Sequence, residues 1–87
     1  MDIVKGCVAQ SRAGRDKGRF LLVLGVADGY ALVADGDLRK LAKPKRKNLI
    51  HLSATGTILG PQDTATDKTL RNALTKRFGG GDRQKEA

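Results

Sequence analysis

Two Asp-Gly dipeptides, Asp28-Gly29 and Asp35-Gly36, interrupt the most apolar part of this 87-residue sequence. The run Phe20–Ala27 precedes the first dipeptide, and Tyr30–Ala34 lies between the two. An Asp-Gly step between apolar runs favours a tight β-hairpin, because Gly accepts a positive φ and Asp tolerates it. We therefore predict two consecutive hairpins, which together form an antiparallel meander.

The remaining apolar segments supply the other predicted strands. Pro44 has no amide donor, so the third strand of the meander should end there or mark a sheet edge. Phe20–Ala27 is apolar on both faces, so something should cover each side of it. The predicted strands outside the first hairpin are Ile3–Ala9, Asp37–Ala42, Asn48–Leu52 and Thr55–Leu59.

The sequence after Gln62 predicts a helix. Thr66 or Asp67 can cap its start through a side-chain oxygen, and Gly79 supplies its stop. The charged segment that follows should be disordered when free. The apolar face of this helix consists of Leu70, Ala73, Leu74 and Phe78.

Four or five short antiparallel strands within about fifty residues are too few for an open sandwich of ordinary size. A small, strongly bent barrel buries their apolar faces and limits open edges. We therefore predict a mainly β fold, with the C-terminal α-helix as a lid on one apolar face. The expected domains are a barrel over residues 1–60, a linker and packed helix over 61–78, and a flexible tail over 79–87.

The charge balance points to a polyanionic partner. Seventeen Lys and Arg residues against nine Asp and Glu give a formal net charge of +8. Such a surplus on so short a chain indicates nucleic acid first and an anionic membrane surface second. No stretch is apolar enough to span a membrane, and the N-terminal residues lack the layout of a secretory signal. With Cys7 as the only cysteine, we expect a soluble, cytoplasmic and reduced protein without an internal disulfide.

The residue inventory weighs against an enzyme. His51 and Cys7 are the only His and Cys, and they lie far apart in the sequence. No second His or Cys completes a metal site, and no sequence-close pair suggests a general acid and base. We expect His51 and Cys7 to be structural residues, and we predict no cofactor and no metal.

The loop between the first two strands carries four cations around two glycines. Glycine lets the backbone turn sharply and approach a phosphate, and the cations neutralise phosphate charge. The Gly-Lys-Ser/Thr of a Walker loop is absent, and a solvated polar hairpin loop is the alternative interpretation. The cations are Arg12, Arg15, Lys17 and Arg19, and the glycines are Gly14 and Gly18.

A second basic segment runs from Arg39 to Lys47 and contains no acid. Basic residues at a sheet edge also prevent aggregation, and Lys43–Lys47 would pass as a nuclear-import patch in a eukaryote. The number of cations exceeds what edge protection needs, since they repel one another in the folded state. We therefore predict a phosphate-contacting strip formed by Arg39, Lys40, Lys43, Lys45, Arg46 and Lys47.

The three aromatic residues, Phe20, Tyr30 and Phe78, all fit core positions in this pattern. Capture of unpaired bases usually needs exposed aromatic platforms. The scarcity of such residues favours recognition of the backbone and shape of structured RNA.

Several separated elements resemble the KOW motif, in the order that the motif has them. The counterparts of its first strand, its loop with the central glycine at Gly18, and its second strand are Ile3–Val8, Gly14–Arg19 and Phe20–Asp28. The segments Val33–Leu41, Pro44–Asn48 and His51-Leu52 resemble one branch, that of small bacterial KOW-domain RNA-binding proteins. That branch is similar to a KOW-bearing large-subunit ribosomal protein family of archaea and eukaryotes.

The resemblance covers residues 1–52 and implies an SH3-like antiparallel barrel, RNA binding and association with ribosomes. The leading hypothesis is a non-enzymatic module that binds structured RNA, with ribosomal RNA as the expected target and a role in translation. The alternative is a protein-interaction KOW module of a transcription or translation factor. An enzyme that depends on His51 is a distant third. We expect RNA and the ribosome as partners, and neither a membrane nor a small-molecule substrate.

Overall fold

Five antiparallel strands and one α-helix make up the part of the chain that the computed structural model describes, residues 2–78. The predicted mainly β class with a C-terminal helix is confirmed. The tail predicted over 79–87 lies outside the described residues. The elements are β1 (Cys7–Ser11), β2 (Phe20–Ala27), β3 (Tyr30–Ala34), β4 (Lys45–Asn48), a 3₁₀ turn (Leu49–His51), β5 (Leu52–Ile58) and α1 (Asp67–Phe78).

The strands form one sheet in the order β4-β3-β2-β1-β5, and every neighbouring pair is antiparallel. One buried cluster contains side chains from β1, β2, β3 and β5. Strands this far apart in the sheet can share a cluster only when the sheet bends around it. The result is the architecture of a small SH3-like barrel, in which a single 3₁₀ turn joins the two outermost strands.

The hairpin predicted at Asp28-Gly29 is confirmed. Ala27 pairs with Tyr30 across a two-residue turn. Both turn residues have positive φ, +52° at Asp28 and +82° at Gly29. A two-residue hairpin turn of type I′ requires this conformation, and the Asp-Gly pair adopts it at low cost.

Strand β2 is covered on both faces over its first half, as its composition predicts, whereas Val26 and Ala27 at its end are exposed. Leu21 and Val23 belong to the cluster inside the barrel. Leu22 belongs to a second cluster on the opposite face, together with Leu70 and Leu74 of α1. Each such fully buried side chain stabilises the fold by about 1.5–3 kcal/mol, so the helix is an integral part of this small domain.

The helix begins where its cap is predicted. The Thr66 hydroxyl oxygen accepts a hydrogen bond from the backbone amide of Thr69 at 3.1 Å, which satisfies one donor of the first turn. The predicted apolar face is buried at Leu70, Ala73 and Leu74. At the last residue, the Phe78 ring stacks on Phe20 with ring centroids 4.2 Å apart. The predicted stop at Gly79 lies beyond the described residues.

The strand predicted over Asp37–Ala42 is wrong, because a buried carboxylate holds the chain in a loop there. One oxygen of the Asp35 side chain accepts the backbone amides of Asp37 and Arg39, each at 2.9 Å. These local bonds satisfy donors that a strand would offer to its neighbour. The chain enters β4 only after Pro44, which precedes a strand and does not end one.

The start of α1 holds the same loop from the other side. The Asp67 carboxylate accepts the backbone amide of Leu41 at 2.7 Å. Gly36 lies so close to the helix that a Cβ there would collide with the carbonyl oxygen of Asp67. The second Asp-Gly dipeptide therefore serves a loop-to-helix contact, and the second predicted hairpin is replaced by it.

Two more predicted strands have different bounds in the structure. β1 begins at Cys7 and not at Ile3, because Gly6 has a φ of +90° and turns the chain. Asn48–Leu52 is not one strand, since the Asn48 side chain accepts the amide of Ile50 and caps the 3₁₀ turn. β5 then runs over Leu52–Ile58 and includes most of the strand predicted at Thr55–Leu59.

Candidate nucleic-acid interface

Backbone hydrogen bonds fix the conformation of the basic loop between β1 and β2. The amide of Gly18 donates to the carbonyl of Ser11 at 2.8 Å, and the amide of Ser11 donates to the carbonyl of Arg19 at 2.9 Å. Gly14 and Gly18 both have positive φ, +86° and +89°, which permits the tight path of the chain. The loop therefore presents its exposed side chains from a defined backbone. Those side chains include Arg12, Arg15 and Lys17.

Lys47 lies inside the molecule and not on the predicted exposed strip. Its ammonium nitrogen is 2.6 Å from a carboxylate oxygen of Asp16 and donates to the carbonyl of Ala13 at 2.8 Å. The Ser11 hydroxyl donates to the same oxygen of Asp16 at 2.9 Å. The two charged side chains are only 8% and 6% exposed. This buried ion pair ties β4 to the basic loop, and Lys47 has no surface to offer to a phosphate.

The environment of Asp16 keeps its carboxyl group ionised. Burial alone would raise the pKa of Asp16, but several favourable interactions oppose it. Hydrogen bonds from Lys47 and Ser11, and the positive charges of Lys47 and Lys45, lower the pKa below its ordinary value of 3.8. Asp16 is therefore ionised at neutral pH and offers Lys47 a carboxylate partner.

Arg19 forms a second set of ion pairs that connects the basic segments. Its guanidinium is 3.0 Å from a carboxylate oxygen of Asp35 and 3.4 Å from one of Asp37. Asp35 is the buried residue that shapes the loop after β3. Arg19 was predicted as a phosphate contact, but its side chain is three-quarters buried and is held by these two carboxylates.

The basic strip is divided between a loop and a strand. Arg39, Lys40 and Lys43 belong to the loop between β3 and β4, whereas Lys45 and Arg46 belong to β4. Within β4, Lys45 pairs with Val33 and is half-buried, whereas Arg46 pairs with Leu32 and is exposed. The six predicted cations therefore do not line one strand.

Tyr30 lies on the surface, so its predicted place in the core is wrong. It is 37% exposed, and the guanidinium carbon of Arg46 lies 4.6 Å from the centre of its ring. The alternation of inward-facing and outward-facing residues along β3 would have predicted this exposure. Because Ala31 and Val33 face the barrel interior, Tyr30 and Leu32 face outward. The other two aromatic residues are partly buried between the sheet and α1, as predicted.

The ion pairs of Lys47 and Arg19 connect the basic segments. Lys47 joins the β1–β2 loop to β4, and Arg19 joins it to the loop after β3. The remaining cations on these segments form no ion pair within residues 2–78, and we call them the outer basic surface. Arg39 and Lys45 of this set are half-buried, and the exposed members are Arg12, Arg15, Lys17, Lys40, Lys43 and Arg46. Arg12 also donates to the hydroxyl of Ser53 at 3.0 Å.

The two residues considered for catalysis lie in different elements, His51 in the 3₁₀ turn and Cys7 at the start of β1. The carbonyl of His51 accepts the backbone amide of Arg12 at 2.8 Å, and Cys7 is buried inside the barrel. Among the residues that the structure describes, no three His, Cys, Asp or Glu side chains form a cluster that could hold a metal ion. Within the same range, the helix is too short to cross a membrane.

Comparison with known proteins leaves the family open. The chain matches none of the models of known protein families, and no curated protein is significantly similar to it in sequence.

Proposed function

We propose that this chain is a non-enzymatic RNA-binding module of the KOW type. Its target is structured RNA, with ribosomal RNA as the expected class and translation as the setting. The observation that carries the proposal is the outer basic surface, which lies on segments held together by the buried Lys47–Asp16 pair and the Arg19–Asp35 pair. These pairs occupy acids that would otherwise compensate the exposed cations.

The basic loop suits contact with a sugar-phosphate backbone. Arg12, Arg15 and Lys17 supply charge that would displace counterions from phosphates. A Cβ placed on Gly18 would meet no atom within 4 Å, so the space beside this glycine is open to an approaching strand. Because backbone hydrogen bonds already order the loop, binding loses little chain entropy.

Contacts of this kind read the backbone and shape of RNA more than its sequence. Arg and Lys bound to phosphates position a protein on a nucleic acid and carry little base information. Recognition of successive unpaired bases requires several stacking side chains, and Tyr30 is the one aromatic residue of residues 2–78 that is exposed. A folded RNA with a helical segment is therefore the best-matched ligand.

Charge reversal on the loop tests the proposal. Arg15→Glu combined with Lys17→Glu should weaken binding to an RNA hairpin by at least about tenfold, since two phosphate contacts become repulsive. The affinity is measured by fluorescence anisotropy with a labelled hairpin. Neither side chain belongs to the core, so the melting temperature should stay close to that of the wild type.

A matched control uses the exposed side chains of α1. Lys68→Glu combined with Lys76→Glu changes the net charge by the same amount, at exposed side chains that belong to neither basic segment. This control should retain most of the affinity. Equal losses in the two double variants would indicate diffuse attraction and would contradict a defined interface.

Exposed aliphatic residues favour the alternative of a protein-interaction module. Ile50 is 77% exposed at the 3₁₀ turn, and Leu38 is 67% exposed in the loop after β3. Isolated exposed side chains of this size are common, so they support this alternative less than the charges support RNA. Retention on a heparin column without any shift of structured RNA would favour the protein partner.

A further inference from the structure

An open groove lies on the outer face of the β2–β3 hairpin, where β4 runs alongside. Its volume is about 430 Å³. Register places Gly25 opposite Leu32 and Ala27 opposite Tyr30, so two small residues form the floor beside two large ones. The side chain of Arg46 joins them from β4, where it pairs with Leu32.

The walls of this groove combine an aromatic ring, a cation and an aliphatic side chain. The Arg46 guanidinium lies 4.6 Å from the centre of the Tyr30 ring, at the distance of a cation–π contact. Tyr30 and Leu32 remain 37% and 44% exposed. A flat group that enters the groove would meet apolar surface and a delocalised charge together.

Gly25 on the floor has an ordinary φ and open space beside it. Its φ lies outside the left-handed region, and a Cβ built on it would meet no atom within 4 Å. Glycine weakens a strand and often marks a place where a ligand or another backbone approaches closely. Gly25 also lies at a β-bulge, where the register of β2 with β3 shifts between Val23 and Gly25, and glycine is common at such bulges. Because it has no side chain, the floor is also open to a group lying across the strand.

We infer that the groove binds one unpaired nucleobase of the RNA whose backbone the outer basic surface contacts. This inference rests on the proposed RNA-binding function and names a subsite within it. The base would stack against the Tyr30–Arg46 pair and lie over Gly25, with Leu32 beside it.

Charge in the groove distinguishes a base from the other possible occupants. Asp28 at the hairpin tip also lines the groove, and its carboxylate repels phosphate but can accept a hydrogen bond from an amino group of a base. An apolar peptide segment would fit Leu32 but would gain nothing specific from a guanidinium stacked on a ring. Arg46 supplies positive charge that attracts the phosphates on either side of such a base.

The test compares two RNA hairpins that differ by one bulged adenosine in an otherwise identical stem. We expect the wild-type protein to bind the bulged hairpin about tenfold more tightly, as one stacked base provides. Tyr30→Leu keeps the apolar bulk but removes the ring, so it should bind both hairpins with the affinity that the wild type has for the fully paired one. Tyr30→Phe keeps the ring and should keep the preference for the bulge.

A second pair of variants tests the floor of the groove. Gly25→Val should abolish the preference for the bulged hairpin while the protein stays folded, because a Cβ has room at Gly25 and the backbone there has no positive φ. Gly60→Val is the matched control, since Gly60 also has open space and an ordinary φ but lies outside the groove. This control should keep the preference.

The outcomes separate the inference from the function on which it rests. Equal wild-type affinity for the two hairpins, or a bulge preference that survives Tyr30→Leu and Gly25→Val, would overturn the base subsite while leaving RNA binding in place. If the preference for the bulged hairpin were kept in Tyr30→Leu but lost in Gly25→Val, the contact with the base would be apolar. That outcome would also overturn stacking. Absence of binding to both hairpins would overturn the proposed function together with the subsite.

Discussion

At the scale of single residues, position in the fold determines what each basic side chain can do. Lys45, Arg46 and Lys47 are consecutive, yet they are half-buried, exposed and buried in turn. Alternation along β4 places Lys47 on the inner face, where Asp16 neutralises it. A run of like charges in the sequence therefore contains residues with different roles.

We predict that Lys47→Met destabilises the protein strongly. Removal of one partner leaves the Asp16 carboxylate buried without its counter-charge, which should lower the free energy of unfolding by about 3–5 kcal/mol. Lys43→Met, at an exposed cation in the loop before β4, is the control, and its cost should stay below about 1 kcal/mol. Urea unfolding measures both values. A loss no larger for Lys47→Met than for the control would contradict a structural role of the pair.

The pH dependence of stability gives the same pair of residues a second readout. The folded pKa of Asp16 lies below its ordinary value of 3.8, so the stability that it contributes is present above that value and is lost as the pH falls through the folded pKa. In Lys47→Met, burial should instead raise this pKa above the unfolded one, and protonation should then favour the folded state. The difference in unfolding free energy between wild type and variant should therefore narrow from about pH 7 to about pH 3. A constant difference would show that Asp16 does not titrate differently in the two proteins.

At the scale of elements, sequence patterns predicted those elements whose formation depends on interactions within a few residues. The Asp28-Gly29 hairpin and helix α1 follow from turn chemistry, capping and apolar spacing within a few residues. The loop after β3 does not follow in full, because the Asp67 carboxylate of the packed helix holds it at Leu41, in addition to the local bonds of Asp35. Lys47 was missed for a similar reason, since its partner lies 31 residues away in the sequence.

The two glycines of the basic loop differ in a way that the sequence does not reveal. Both have positive φ, so a β-branched side chain strains the backbone at either position. A Cβ on Gly18 would meet no atom within 4 Å, whereas one on Gly14 would lie 3.3 Å from the ammonium nitrogen of Lys47. Substitution at Gly14 thus disturbs the buried ion pair in addition to the turn.

We therefore predict a graded effect of Gly18→Val and Gly14→Val. Gly18→Val should lower the free energy of unfolding by about 1–3 kcal/mol through backbone strain alone. Gly14→Val should lower the free energy of unfolding by more, because the Lys47–Asp16 contact must also shift.

Thermal unfolding gives the stabilities of both variants, and RNA affinity is measured on the same preparations well below their melting temperatures. If Gly18 abuts the RNA, affinity should fall for Gly18→Val even where the protein is fully folded. Wild-type stability together with wild-type affinity for this variant would contradict the role of Gly18 in the loop.

At the scale of the whole molecule, internal ion pairs shape the surface field. Asp16 and Asp35 are buried against Lys47 and Arg19, so these carboxylates do little to compensate the exposed cations. Each pair is neutral, so it leaves the formal net charge of +8 of the whole chain unchanged, and the other cations of the basic segments have no carboxylate partner within residues 2–78. The fold uses its few acids to position basic segments and leaves the outer basic surface to attract a polyanion.

This arrangement predicts a salt dependence that distinguishes outer from buried cations. If about five phosphates are neutralised, the logarithm of the affinity for an RNA hairpin should fall with the logarithm of the salt concentration at a slope of about −4. Lys17→Gln should make that slope shallower by about one, because one phosphate contact is lost. Lys76→Gln on α1 should leave the slope unchanged, and so should Lys47→Met at a temperature where that variant is folded, since Lys47 is buried. Titrations at four or more salt concentrations measure these slopes. A wild-type affinity independent of salt would contradict phosphate contact altogether, and equal changes of slope for Lys17→Gln and Lys76→Gln would contradict the assignment of that contact to the basic loop.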